Sequence, residues 1–104
     1  MAKGIMYVES RPSSPDREQE YNAWYDEIHI PELLKLDGIV GARRLRSVNG
    51  DGPYVAIYEL EGEDLQTILD NMVANAGQLH MSDAIQLDPA PIPRVLETTI
   101  DFGG

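Results

Sequence analysis

The chain reads as an α+β fold in which four strands and two helices follow one another in the order β-α-β-β-α-β. Three observations predict this. Four short segments rich in β-branched and aromatic residues are bounded by clusters of Gly, Pro, Asn and Asp. Two longer segments carry apolar residues at the helical period of 3.6, and one Gly-rich connection joins the two middle strands. The 104 residues are read as one domain, because no composition break or low-complexity tract divides them.

Residues 4–9, Gly-Ile-Met-Tyr-Val-Glu, form the first strand and give way to the turn-forming run Ser-Arg-Pro-Ser-Ser-Pro. A helix is predicted from Ser14 as N-cap, with Pro15 in the first helical position and Asp16 and Glu18 complementing the positive end of the helix dipole. Along it Tyr21, Trp24, Tyr25 and Ile28 make one stripe that faces the core. Pro31 lacks a backbone donor and disfavours helical geometry at Ile30. The helix is therefore expected to end or kink near His29, with a second short turn from Glu32 to Leu36.

Asp37-Gly38 turns the chain into a second strand, Ile39 to Val48, and Asn49-Gly50-Asp51-Gly52 connects it to a third, Pro53 to Leu60. Gly62-Glu63-Asp64 opens the second helix. Its Leu65, Ile68, Leu69, Met72, Val73 and Ala76 fit the helical period, and Gly77 serves as C-terminal cap. His80 to Pro93 reads as loop, since Asp88-Pro-Ala-Pro-Ile-Pro has few backbone donors to give a sheet. Arg94 to Phe102 closes the chain as the last strand.

This order is the split βαβ arrangement of ferredoxin-like folds, a four-stranded antiparallel sheet with both helices on one face. The other face is left bare and must be covered. Two identical sheets packed face to face do this and enclose a cavity where inward side chains meet, so a homodimer is expected. Strand alternation puts Tyr7 with Ile5 and Glu9 on one face, and Tyr54, Ala56 and Tyr58 on one face of the third strand. Met6, Val8, Val55 and Ile57 are then the helix-covered positions. Tyr7, Glu9, Tyr54 and Tyr58 are expected to line a part-aromatic, part-polar pocket toward the partner sheet.

Eight Lys and Arg stand against 18 Asp and Glu, a formal charge of −10. Such a surface repels phosphate backbones and anionic headgroups, so neither nucleic acid nor membrane is an expected partner. No apolar stretch approaches the roughly twenty residues that span a bilayer. The first residues are too short in apolar length for a signal peptide, and a cytoplasmic location is expected by default. The chain has no cysteine, which removes thiolate nucleophiles, disulfides and Cys-ligated metals. No Gly-rich phosphate loop, nucleophile elbow or paired histidines at zinc spacing occur, so neither a metal nor another cofactor is expected.

The segment Tyr21-Asn-Ala-Trp-Tyr-Asp-Glu-Ile-His-Ile-Pro-Glu resembles the first-helix signature of the dimeric α+β barrel superfamily, especially its EthD-like members, in which an aromatic helix ends in a His-x-Pro pattern. Here that pattern is His29-Ile30-Pro31. The likeness covers nearly the whole chain in element order and about a dozen residues in recognisable sequence. It implies the dimeric fold and a pocket at which His29 stands where helix, loop and cavity meet. The superfamily includes polyketide cyclases, isomerases, dehydratases, small monooxygenases and proteins without a known reaction, and fold alone does not choose among them.

His29 is the general-base candidate, because a neutral imidazole can take a proton from a carbon acid or hydroxyl. The bland alternative is a histidine that hydrogen-bonds a carbonyl freed by Pro31. Tyr21, Tyr25 and His29 lie four residues apart, so a phenol can share a site with the imidazole, although such stripes usually pack. Trp24 reads first as a packing anchor and second as a ligand platform. Arg43, Arg44 and Arg46 concentrate positive charge on one strand. Arg43 is the candidate for holding an enolate or carboxylate, or else for pairing with Glu97 or Asp101. Asp26, Glu27 and Glu32 around His29 are read as solvated, with Asp26 or Glu32 able to orient the imidazole, and His80 as a solvent-facing loop residue.

The expected function is a small cofactor-independent enzyme acting on a hydrophobic carbonyl, polyketide-like or aromatic molecule by general acid–base chemistry, of isomerase, cyclase or dehydratase type. His29, Tyr58 and Arg43 are the catalytic candidates, and Tyr7, Trp24, Tyr25, Tyr54 and Glu97 the substrate-binding ones. The alternatives are a non-catalytic protein that binds a small hydrophobic molecule in a pathway, and a cofactor-free monooxygenase.

Overall fold

The two longest strand-forming runs pair with each other. In the computed structural model, which describes residues 1–103, β1 (Ala2–Ser10) and β3 (Tyr54–Gly62) run antiparallel along their whole length, from Ala2 opposite Gly62 to Ser10 opposite Tyr54. β2 (Ile39–Leu45) adds to the free edge of β3 and β4 (Arg94–Glu97) to the free edge of β1. The result is an α+β architecture with one antiparallel sheet in the order β2-β3-β1-β4, compatible with a ferredoxin-like arrangement.

Several strand boundaries differ from expectation. β2 stops at Leu45, because Ser47 turns away to bond Asp51 and the following loop needs Gly50 and Gly52 at φ of 79° and 81°. β4 stops at Glu97 rather than Phe102. Antiparallel pairing carries it toward the start of β1, and Thr98 donates the last of these bonds to the Lys3 carbonyl; Ile100 and Phe102 then lie exposed.

The first helical arm begins with a tight turn at Pro15–Arg17, where the Ser14 hydroxyl bonds the Asp16 carboxylate instead of capping the backbone. It continues as α1 (Glu18–Trp24), widens into a π-helical turn at Tyr25–His29, and resumes as α2 (Ile30–Leu33). The arm thus neither ends nor breaks at His29. Pro31 has no N–H for the carbonyl four residues back and its ring crowds that carbonyl; the strain is absorbed one turn earlier, where the Ile30 N–H reaches the Tyr25 carbonyl, five residues back. α3 (Leu65–Ala74) is capped by the Asp64 carboxylate, which accepts from the Gln66 N–H at 3.0 Å. It ends before Gly77, which lies in a following tight turn and does not adopt the left-handed cap conformation; Val73 is exposed.

Both helical arms cover the same sheet face. Met6 and Ser10 of β1, Ile39 of β2, and Ala56, Tyr58 and Leu60 of β3 are buried there against Tyr21, Trp24, Tyr25, Leu33, Leu65 and Ile68. The assignment for β1 stands, while that for β3 is reversed: Tyr54 and Tyr58 face the helices, and Val55 and Ile57 the open side. Glu59 and Glu61 share the face of Val55 and Ile57, so burying that face under helices would bury two carboxylates. A bulge at Val40, between Ile39 opposite Leu60 and Gly41 opposite Glu59, sets the parity of the rest of β2. Ala42 and Arg44 therefore turn under the helices, and Arg43 and Leu45 outward.

Candidate functional site

The π-helical turn decides which side chains of the first arm meet the sheet. One extra residue in the turn shifts the inward stripe, so that Tyr21 and Tyr25 are followed inward by His29 and Leu33, while Ile28 is turned out at 42% exposure. The expected core role of Ile28 is corrected, and His29 takes its place. Its half-buried ring stacks on Trp24 at 4.5 Å and meets the edge of Tyr25 at 5.2 Å. Burial among these rings, opposed by the Glu32 carboxylate, pushes its pKa down to about 4. The imidazole is therefore neutral at neutral pH, and its buried Nδ1 has no hydrogen-bond partner.

Beside it lies a polar pocket of tyrosines around one guanidinium. Arg44 sits 4.5 Å from the Tyr25 ring centroid, 5.1 Å from that of Tyr54 and 5.4 Å from that of Tyr21. Asp26 and Asn22 each accept from it at 2.9 Å, fixing the guanidinium under the arm. The Tyr21 and Ser10 hydroxyls share a 2.5 Å hydrogen bond, and the Tyr54 hydroxyl donates to Glu18. Tyr58 is 1% exposed, and its hydroxyl lies near that of Tyr25 without a hydrogen bond of good geometry; burial raises its pKa, with the neighbouring Tyr25 adding to the effect. Arg44 Nε is likewise buried and unpartnered. Three unsatisfied polar atoms thus belong to one contiguous cluster, and such atoms are uncommon in folded interiors.

Trp24 holds the loop that follows α3. Its Nε1–H donates to the His80 carbonyl at 2.7 Å, and Glu32 accepts from the His80 N–H at 2.9 Å and contacts its ring Nδ1 at 2.5 Å. Glu32 therefore orients His80, and Asp26 orients Arg44, so neither carboxylate positions the His29 ring. The same loop carries the buried Ala84 and Ile85, tied back by Ser13 N–H to Ala84 O and Gln86 N–H to Arg11 O.

The sequence-predicted residues divide between the two sides of the sheet. His29, Trp24, Tyr25, Tyr54 and Tyr58 come together under the helical arm. Tyr7 is on the open face, its hydroxyl bonded to Glu9 at 2.9 Å, and so is Arg43, which pairs with Glu59 at 2.9 Å rather than with Glu97 or Asp101. Glu97 stands exposed opposite Gly4 at the β4 edge, away from both groups. The arginine that shares the buried side with Tyr25 and Tyr58 is Arg44. Glu59 and Glu61 were the signal that could have found it, since they mark the wet face of β3 and hence the inward parity of β2.

Two surface grooves meet at Arg11, Pro53 and Gln86; a third runs beside Trp24 and His80, and a fourth beside Gly38 and Gly62. His29 lines none of these four. Among the described residues, no three His, Asp or Glu side chains converge to hold a metal ion, and no helix is long and apolar enough to cross a membrane. Compared with known proteins, the chain matches no family model, and no curated protein or solved structure is significantly similar to it.

Proposed function

We propose that the chain is an EthD-like dimeric α+β barrel protein and a small cofactor-independent enzyme, acting on a hydrophobic carbonyl compound by proton transfer in the manner of an isomerase, cyclase or dehydratase. The observation that carries this reading is the trio of buried, unpartnered polar atoms: His29 Nδ1, Tyr58 Oη and Arg44 Nε. A base, a neutral acid and a fixed cation grouped around the Tyr25 ring are the chemical types that enolisation of a ketone requires. His29 takes the proton from the carbon next to the carbonyl. Tyr58 and Arg44 hold the oxygen as it becomes an enolate, and the imidazolium returns its proton at another carbon or to a leaving hydroxyl. Arg44 thereby takes the role first assigned to Arg43. Because Tyr58 is buried, substrate reaches it only when the arm bearing Tyr25–His29 lifts from the sheet, and the wide turn next to Pro31 is the weakest stretch of that arm.

The test is exchange of α-protons of 2-tetralone, a bicyclic aromatic ketone, followed by proton NMR in D2O. The protein is expected to speed exchange, and His29→Ala to lose roughly a hundredfold or more of that acceleration. Full exchange by the variant sinks the mechanism. The second reading, a non-catalytic carrier of a small hydrophobic molecule, is favoured by the closed state of the cluster and by the absence of His29 from the four grooves. It expects tetralone to bind without exchange, and to bind His29→Ala equally well.

The open sheet face is the surface on which a second copy would pair. Ile5, Val55 and Ile57 are half-buried there, and Leu45 is 43% exposed. The like-facing apolar rows of two copies suit a two-fold arrangement.

A further inference from the structure

We propose that the groove between the open sheet face and the Pro89–Ile92 segment binds a small organic carboxylate with a flat apolar body, gripped by Arg11 and Arg94. The groove holds about 610 Å³, within the range of small-ligand sites. Tyr7, Arg94 and Leu96 of the sheet form one wall, and Pro89, Pro91 and Ile92 the other, so both walls come from one chain. This site lies across the sheet from the buried cluster and does not rest on its chemistry.

The argument for an anion is the pairing of charges. Carboxylates outnumber basic side chains 18 to 8, and three of the six arginines are paired with one. Arg17 pairs with Glu20 and Asp83, Arg43 with Glu59, and Arg44 with Asp26. Among the described residues, Arg11, Arg46 and Arg94 have no carboxylate within 4.0 Å, and Arg11 and Arg94 both line this groove. Glu9 is the one carboxylate in its lining; the Tyr7 hydroxyl donates to one of its oxygens at 2.9 Å, and the two arginines still leave the groove an excess of one positive charge. Two free guanidinium groups beside an aromatic ring and a proline wall match a planar ring that bears a carboxylate. The ring packs between Tyr7 and Pro91, and the carboxylate accepts from the arginines.

Calorimetric titration of the full chain with 2-naphthoate and with its neutral analogue 2-naphthamide tests this. Naphthoate is expected to bind about tenfold or more tightly than the amide, and the pair Arg11→Gln and Arg94→Gln to remove that advantage while circular dichroism stays unchanged. Added salt weakens naphthoate binding, and Tyr58→Phe leaves it intact. Equal affinity for acid and amide, no saturation at millimolar probe, or naphthoate binding that survives both arginine substitutions overturns the proposal. So does loss of binding in Tyr58→Phe, which assigns the probe to the buried cluster. Native mass spectrometry adds one further arm: naphthoate that splits dimers into monomers identifies a second copy as the occupant, and the carboxylate site falls.

Discussion

His29 and Tyr58 are held in states that the interior alone imposes. Since the fold lowers the His29 pKa from its ordinary 6.5 to about 4, the unfolded chain takes up that proton first as pH falls. The stability this residue contributes is complete above about pH 6.5, shrinks between 6.5 and 4 by up to about 3 kcal/mol, and changes no further below that. Urea denaturation at pH 7 and pH 5 should show this loss in the parent and little of it in His29→Phe, which keeps the stack on Trp24 and cannot titrate. Parallel behaviour of the two proteins would mean the imidazole is not held neutral. Asp16, Glu32 and Asp83, whose hydrogen bonds lower their pKa values, lose their contributions at lower pH, in the carboxylate range. Tyr58→Phe removes a buried hydroxyl that has no partner, so it should raise stability by about 1 kcal/mol while lowering the exchange activity. A variant that is both less stable and fully active argues that the hydroxyl is satisfied and idle.

The elements that position these residues depend on two local devices. The π-helical turn is the first: it turns Ile28 out and leaves His29 in line with Tyr25 and Leu33. The second is the close approach of β1 and β4 at Gly4, where an added Cβ would lie 2.2 Å from the Leu96 carbonyl oxygen and 2.7 Å from Leu65 Cδ1. Gly4→Ala should therefore cost roughly 2–3 kcal/mol and loosen β4, seen as faster amide exchange at Met6 and Val95. Gly77→Ala, where nothing lies within 4 Å and φ is not positive, serves as the control and should leave stability unchanged or slightly higher. Equal effects at the two positions would contradict the β1 and β4 contact.

For the molecule as a whole, the imbalance between the two sheet faces matters most. One face is covered by both helical arms, and the other exposes an apolar row crossed by the Arg43–Glu59 pair. We expect a dimer by sedimentation at micromolar concentration, and a monomer with unchanged circular dichroism for Ile57→Lys, which sets a charge in the middle of that row. A monomeric parent protein would leave the face exposed and remove the dimer from the proposed function. A net charge of −10 opposes association, so added salt should strengthen the dimer.

Element order and the inward aromatic stripe were legible from local patterns. Proline, glycine and N-cap positions punctuate the chain, and Tyr21, Trp24 and Tyr25 lie on one side of any helix drawn through them. Period-2 alternation also separated Tyr7 from Met6 correctly. The same alternation divides β3 into two sets without saying which is inward, and that choice depends on where two neighbouring strands and a helix place Glu59 and Glu61. The bulge at Val40 likewise exchanges Arg43 for Arg44 through a one-residue offset that only strand pairing reveals. Pro31 announced a disturbance in the helix, but its form, a widened turn that sets His29 against Trp24 and Tyr25 and turns Ile28 out, belongs to the folded arm. Chain-local chemistry sets the order and type of the elements; where several of them stop and which of their faces meet is fixed by contacts between residues far apart in sequence, and the candidate site is made of those contacts.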